Sequence, residues 1–326
     1  MIVVTGASGF IGSALIHQLN AKGYSSIIAV DKFDSEIKNR NTHSLSIVSK
    51  IDRDVFPDWF LKNGTVVDFV FHLGARTDTS ERDEDLLRRL NTEYTKKLWH
   101  LCVKFSKPFV YASSAATYGD GKNGFNDHEP SIASLCPLNP YGRSKHLFDS
   151  WCLNEIEKPP FWAGLKFFNV YGPNEYHKGR MASVVFHAYH QLQQTKSIKL
   201  FKSHIPQYGD GGQKRDFIYV KDVLKILEFL MLTQRHSGIY NIGTAVPSTF
   251  VELAKSIFQA SGEPENIAFI DMPEDIRTSY QYYTCASIEK LRSIGYTDNL
   301  YSIQEGVADY VKTYLKRNMH IHLNTI

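Results

Sequence analysis

Met1-Ile2-Val3-Val4-Thr5-Gly6-Ala7-Ser8-Gly9-Phe10-Ile11-Gly12 opens the chain, and its reading decides the fold. Ile2, Val3 and Val4 are apolar without alternation, which predicts a short strand buried on both faces. Glycines at 6, 9 and 12 follow, and an apolar-periodic segment then runs to about Lys22. Strand, glycine-rich turn and helix, in that order, predict a dinucleotide site. The glycines permit a tight turn, backbone approach to a pyrophosphate and close packing of helix on strand. The helix N-terminus then faces the phosphate charge. The spacing is G-x-x-G-x-x-G, not G-x-G-x-x-G, so the strand and helix context carries the reading.

Outward from this turn, residues 26 to 30 read as a second strand ending at Asp31. An acid there accepts a ribose 2′-hydroxyl and favours NAD. Lys32 adjoins it, and Lys38 and Arg53 follow; cations at that point neutralise a 2′-phosphate and favour NADP. Solvated loop charges are the alternative for Lys38 and Arg53. Asp52 is placed to reach adenine. Residues 66 to 72 read as a buried strand closed by His72-Leu73-Gly74-Ala75, small enough at its end for a cofactor to cross the sheet. His72 reads as a packing residue. Residues 83 to 104 form a long helix, with Asn91 an exposed or locally satisfied amide. Residues 108 to 112 are the next strand, followed by Ser113-Ser114-Ala115-Ala116-Thr117-Tyr118-Gly119, which sets hydroxyls beside the cofactor crevice.

Tyr141-Gly142-Arg143-Ser144-Lys145 places a phenol and an ammonium one helical turn apart, on one face. A lysine there stabilises the phenolate and lowers its pKa toward neutrality. Tyr141 is then an acid/base for a sugar hydroxyl, with one of the preceding serines holding the oxygen. An exposed helix face is the alternative for the pair taken alone. Further on come a strand at 161–168 and the polar run His177-Lys178-Gly179-Arg180-Met181-Ala182-Ser183. That run opens a helix bearing Val184, Phe186 and His187; a lysine and a hydroxyl at a helix entry suit an oxygen-rich ligand. A strand at 198–201, a glycine-rich loop to 213, a helix at 223–232, a strand at 239–243 and a helix at 302–315 complete the pattern. His320-Ile321-His322 reads as a frayed end or an interface strand.

The 326 residues are 43% hydrophobic and 22% charged, enough for a sizeable core and two lobes. A net charge of +3 is too mild for a nucleic-acid footprint. Cys102, Cys136, Cys152 and Cys285 show no metal spacing and read as buried or partly buried thiols in a reducing cytosol. No apolar run approaches a membrane span, and Met1 leads straight into a strand with no leader pattern, so a cytoplasmic location and no metal are expected.

Three segments, YASSAATYG at 111–119, FNVYGPNEYHKGRMAS at 168–183 and KRDFIY at 214–219, carry a resemblance that covers nearly the whole chain. The chain resembles the extended short-chain dehydrogenase/reductase family of nucleotide-sugar epimerases and dehydratases. The middle segment is most similar to a branch that inverts carbon 6 of an ADP-linked heptose for the lipopolysaccharide inner core.

The resemblance implies an α/β fold: a Rossmann-type, doubly wound parallel sheet with a smaller α/β carboxyl-terminal substrate lobe. Residues 1–168, rejoined by 214–245, would bind NADP, with NAD as the alternative; 169–213 and 246–326 would form the lobe. Gly6, Gly9, Phe10, Ile11 and Gly12 would line the pyrophosphate, and Asp31, Lys32, Lys38 and Arg53 the adenosine end. Leu73, Gly74, Ala75, Asn91, Lys145, Val170 and Lys178 would also face the cofactor or active centre. Ser114, Asn169, Ser183, His187, Phe201, Arg215 and Tyr280 would face the nucleotide sugar, and Arg215 forks naturally onto phosphate oxygens.

Tyr141 and Lys178 would be two acid/bases, Lys145 would tune Tyr141, and Ser114 would hold the reacting oxygen. Arg180 stands where relatives often carry a small serine, which adds charge near the substrate. The resemblance also implies a homo-oligomer, pentameric or a multiple. A dehydratase would need an acidic pair just after Ser114, where Ala115, Ala116 and Thr117 stand. A UDP-sugar 4-epimerase and a non-catalytic NADP-binding scaffold are the remaining alternatives.

Overall fold

The computed structural model describes residues 1–277 and 280–321. Its centre is a sheet of strands β1 (Ile2–Thr5), β2 (Ile27–Asp31), β3 (Ser49–Asp52), β4 (Phe69–His72), β5 (Phe109–Ser114), β6 (Trp162–Phe167) and the later strand Gly238–Ile242. They lie in the order Gly238–Ile242, β6, β5, β4, β1, β2, β3, and every pairing is parallel. The chain grows outward from β1 to β3, then returns to lay β4 on the other side of β1. That reversal opens a crevice at the carboxyl ends of β1 and β4, where ligands bind in such sheets.

β1, β2 and β4 are buried along their whole length, which accounts for their unbroken apolar runs. On one face the helices Phe10–Ala21 and Val220–Thr233 pack together, and Gln18 Nε2 donates to Glu228 at 2.6 Å. On the other, Trp99 sits among Phe109, Phe148 and Trp162 with ring centroids 5.4–6.0 Å away. The segment 214–245 contributes the Val220–Thr233 helix and the strand beside β6. Beyond it, strand Ile198–Phe201 pairs in parallel with Ile267–Ile270, and helices Val184–Thr195, Phe250–Ser261 and Ile303–Asp309 pack around them. Leu15 and Tyr240 of the sheet layer share one apolar cluster with Val185, Leu253 and Val307, so the core runs on continuously from the sheet into these later elements.

Several local expectations change. Residues 64–66 form a 3₁₀ turn, and β4 begins only at Phe69. The long helix is interrupted by a π-helical stretch, Arg88–Glu93, which carries Asn91. Asn91 is buried, not exposed: it accepts from the Arg76 N–H at 2.8 Å and donates to the Arg76 carbonyl at 3.0 Å and to Ser144 Oγ at 3.0 Å. Residues 319–321 are docked against the motif around Asn174 and Tyr176. Tyr176 donates to the Met319 carbonyl at 2.6 Å, Asn174 Oδ1 accepts from the Ile321 N–H at 3.0 Å, and Ile321 is buried. His322 lies outside the described residues. Cys102 and Cys152 are buried and Cys285 half-buried, but Cys136 is exposed. Among the described residues no helix is long and apolar enough to cross a membrane.

Candidate active site

Two hollows lie along the carboxyl ends of the central strands. The first, of about 400 Å³, is walled by Gly6, Gly9, Phe10, Ile11, Gly12, Asp31, Lys38, Arg53, Leu73, Gly74, Ala75 and Lys178. The second, of about 340 Å³, is walled by Ser114, Tyr141, Lys145, Asn169, Val170, Lys178 and Ser183. Phe10, Ile11, Leu73, Ala75 and Lys178 belong to both, so the two form one trough over the switch point.

The first hollow fits a dinucleotide. Gly6 adopts φ +67°, and a Cβ there would lie 2.7 Å from the Gly74 Cα, so the turn closes only on glycine. Gly9 caps the Phe10–Ala21 helix without a side-chain hydrogen bond, and no acid stands in the first turn. Its first N–H groups are left for an anion at the positive end of the helix. Asp31 is buried at the end of β2, where its carboxylate accepts from the Ser8 N–H at 3.0 Å and pairs with Lys38 Nζ at 2.5 Å. Arg53 stands beside them, 3.2 Å from Asp54. The Lys32 ammonium turns to Asp54 at 2.7 Å and Asp52 at 3.5 Å, which together raise its pKa. Asp52 is thereby committed to Lys32. His72 is held between the Thr5 and Thr95 hydroxyls at 2.6 and 2.9 Å, and burial pulls it down to about 3, so it is neutral.

The second hollow gathers the acid/base groups. Asn139 caps the Pro140–Asn154 helix by accepting from the Gly142 N–H at 2.7 Å, with Pro140 in its first turn. A Cβ on Gly142 would lie 2.7 Å from the Ala116 carbonyl oxygen, so this glycine brings the helix against the Ser114 turn. Tyr141 and Lys145 are both buried. Burial raises the Tyr141 pKa and a hydrogen bond from Ser114 opposes it. The expected lowering by Lys145 is not found. The Lys145 ammonium donates to the Ala112 carbonyl at 2.9 Å, and its own pKa is pulled by burial to about 8.

Lys178 arrives on the opposite wall from the 3₁₀ segment Tyr176–Met181, which kinks at Gly179. Burial lowers its pKa and the buried Glu175 opposes that. Glu175 holds the same wall together by accepting from the Gly172 N–H at 3.2 Å and from Ser183 Oγ at 2.7 Å. Sequence reading did not single out Glu175; its place in the motif between Asn174 and Lys178 was the available signal.

Arg180 is exposed, and its guanidinium reaches Ser80 and, at 3.3 Å, Asp78, a residue that lines the first hollow. Asp78, held down at about 2 by Ser80 and then Arg180, was missed because its partner lies about a hundred residues away in sequence. Phe201, Arg215 and Tyr280 come together at a separate place. The Arg215 guanidinium lies 5.3 Å from the Tyr280 ring and 5.9 Å from Phe250, and Tyr280 is 6.4 Å from Phe201. Arg215 is buried, and among the described residues no carboxylate pairs with it. A buried, unpaired guanidinium among rings suits an aromatic base and its phosphates. His187 is not part of this group: it is exposed on the Val184–Thr195 helix, its ring against Phe186.

Fold and site therefore define a dinucleotide-dependent enzyme with a tyrosine–lysine pair and a second lysine facing one trough. The chain belongs to the NAD dependent epimerase/dehydratase family, whose model matches residues 2–243. It is 45% identical to an ADP-L-glycero-D-manno-heptose-6-epimerase of Fusobacterium nucleatum over 97% of this chain and 98% of that protein. Among solved structures it is similar to the ADP-L-glycero-D-manno-heptose-6-epimerase of Helicobacter pylori, with TM-score 0.79 and 27% identity over 95% of this chain and 94% of that one. It is also similar to a UDP-glucose 4-epimerase of Thermus thermophilus in complex with NAD, with TM-score 0.76 and 25% identity over 95% and 97% of the two chains.

Proposed function

We propose that this protein converts ADP-D-glycero-D-manno-heptose to ADP-L-glycero-D-manno-heptose by inverting carbon 6, for assembly of the lipopolysaccharide inner core. The observation that carries the reading is that Tyr141 and Lys178 wall the same hollow, in a chain with near full-length relatives named for this reaction. A nicotinamide cofactor would be held in the first hollow by Gly6, Gly9, Gly12, Asp31, Lys38 and Arg53, and would supply reversible hydride transfer at carbon 6. The chain's own residues do the rest. Ser114 holds the reacting oxygen. One of Tyr141 and Lys178 removes the hydroxyl proton in the first orientation, and the other returns a proton after the ketone has turned over.

Their environments support this division, because burial favours the neutral phenol of Tyr141 and the neutral amine of Lys178. Lys145 positions the cofactor ribose. Arg215, Tyr280 and Phe201 take the ADP group, and Asn169 and Ser183 the sugar side. We read the cofactor as NADP, from Lys38 and Arg53 beside Asp31. We also read the protein as a cytoplasmic homo-oligomer. The test is to purify the protein, identify its bound nucleotide and follow the carbon 6 proton of ADP-D-glycero-D-manno-heptose by NMR. The L-glycero isomer is expected; an unchanged heptose with UDP-glucose epimerised instead overturns the substrate assignment.

A further inference from the structure

We propose that Asp149 and Lys166 are positioning residues of this active centre, whose buried ion pair locks the Ser114 turn onto the helix bearing Tyr141 and Lys145. The proposal rests on the roles assigned above to those three groups. Asp149 follows Lys145 by four residues and Tyr141 by eight, so the three share one helix face. Asp149 and Lys166, the latter on β6, are fully buried and 2.7 Å apart. Asp149 also accepts from Ser113 Oγ at 2.7 Å and from the Tyr111 hydroxyl at 3.0 Å, both on β5. Lys166 Nζ donates in turn to Thr117 Oγ1 at 2.7 Å, and Thr117 donates to the Ser114 carbonyl at 2.8 Å. Ser114 is thus gripped on both sides: its preceding neighbour by Asp149, its own carbonyl by Lys166 through Thr117.

Stability alone does not account for the pair. A buried ion pair is often no better than well-packed apolar groups of the same volume, whereas losing one partner is severe. Here both charges are spent on groups that flank Ser114, namely Ser113 before it and Thr117 on its carbonyl. Lys145 faces Asp149 on its own helix, the neutral His72 on β4 and the Ala112 carbonyl on β5. Asp149 opposes the downward pull of burial on the Lys145 ammonium.

The test uses the full chain as D149N/K166M, K166R and T117V. Two readouts are taken: kcat and KM for the nucleotide sugar, and the pH midpoint of Lys145 acetylation by acetic anhydride in cofactor-free protein, read by peptide mass spectrometry. The double variant should fold, because neither charge is left unpaired. Its kcat should fall about tenfold to a hundredfold with KM within about threefold, as for misplaced rather than missing catalytic groups. Its Lys145 midpoint should move down. K166R should recover most of kcat, and T117V should lower kcat without moving the Lys145 midpoint. A double variant with wild-type kcat and midpoint overturns the proposal. If it does not fold, wild-type kcat in T117V does so. If wild-type protein leaves the heptose unchanged, the functional reading has failed, and the Lys145 midpoint still decides this proposal.

Discussion

The ammonium of Lys145 donates to the carbonyl oxygen of Ala112 at 2.9 Å, at the point where β5 ends beside the trough. This is a cation held almost out of water, with its pKa pulled to about 8 by burial. Function, not stability, explains its presence.

K145M should therefore be more stable than the wild type at pH 7. Burial of the charge costs up to about 3 kcal/mol, and orphaning the Ala112 carbonyl gives back about 1, for a net gain of about 1–2 kcal/mol. The sign follows from linkage. Between pH 8 and the unfolded lysine value near 10.4, the unfolded chain binds a proton that the folded chain does not, so wild-type stability rises with pH there. The gap between K145M and wild type should narrow toward pH 10. Urea unfolding at pH 7 and pH 10 measures it, and a gap that does not change with pH contradicts the argument.

R180A should leave stability within about 0.5 kcal/mol of wild type, because an exposed pair contributes little. Asp78 lines the first hollow and Arg180 holds it from outside, so loss of the contact should speed cofactor release by about two- to fivefold. Raising salt should have the same effect on wild type and almost none on R180A. Stopped-flow displacement of the bound dinucleotide at low and high salt checks this.

K38M should weaken NADP about tenfold while changing NAD much less, since Lys38 stands at the ribose end of the hollow and a charged hydrogen bond to phosphate is lost. Lys38 is also the ion-pair partner of Asp31, so the variant leaves a buried carboxylate facing the ribose. That carboxylate repels a 2′-phosphate and accepts a 2′-hydroxyl, so both consequences push the same way. Titration calorimetry with each dinucleotide on cofactor-free protein separates them; equal losses would place the 2′-phosphate elsewhere.

The strand, turn and helix of residues 2–21 were legible because every signal in them is local: an unbroken apolar run, three glycines and a helical period. Tyr141 and Lys145 were legible for the same reason, as neighbours on one helical turn. What was not legible depends on partners far away in the chain. Lys32 and Arg180 read as ligand groups, yet each is taken by a carboxylate of another loop, Asp54 and Asp78. The Tyr141 shift has the opposite sign from the expected one because burial, set by packing of the helix on the Ser114 turn, raises it, and what opposes burial is the Ser114 hydrogen bond rather than the lysine four residues away. Asn91 fits a helical pattern, but the π-helical stretch that carries it turns it to the Arg76 backbone and Ser144.

The two acid/base groups should be separable by pH. Lys178 must be neutral to take a proton, and burial lowers its pKa from the ordinary lysine value, so the reactive fraction grows as pH rises. Tyr141 is shifted the other way, toward the protonated phenol. The acid limb of kcat/KM should therefore belong to Lys178. Y141F should lower the whole profile by about 10²–10⁴ without moving that limb, because the phenol proton is lost at every pH. K178M should lower activity comparably and abolish the limb, since no group is left to titrate in its place. Y141F should keep the bound dinucleotide, because the Tyr141 phenol does not line the first hollow. Profiles of the three proteins from pH 6 to pH 10 decide the matter. An acid limb that survives intact in K178M would assign the titration to Lys145, whose pKa burial pulls to about 8.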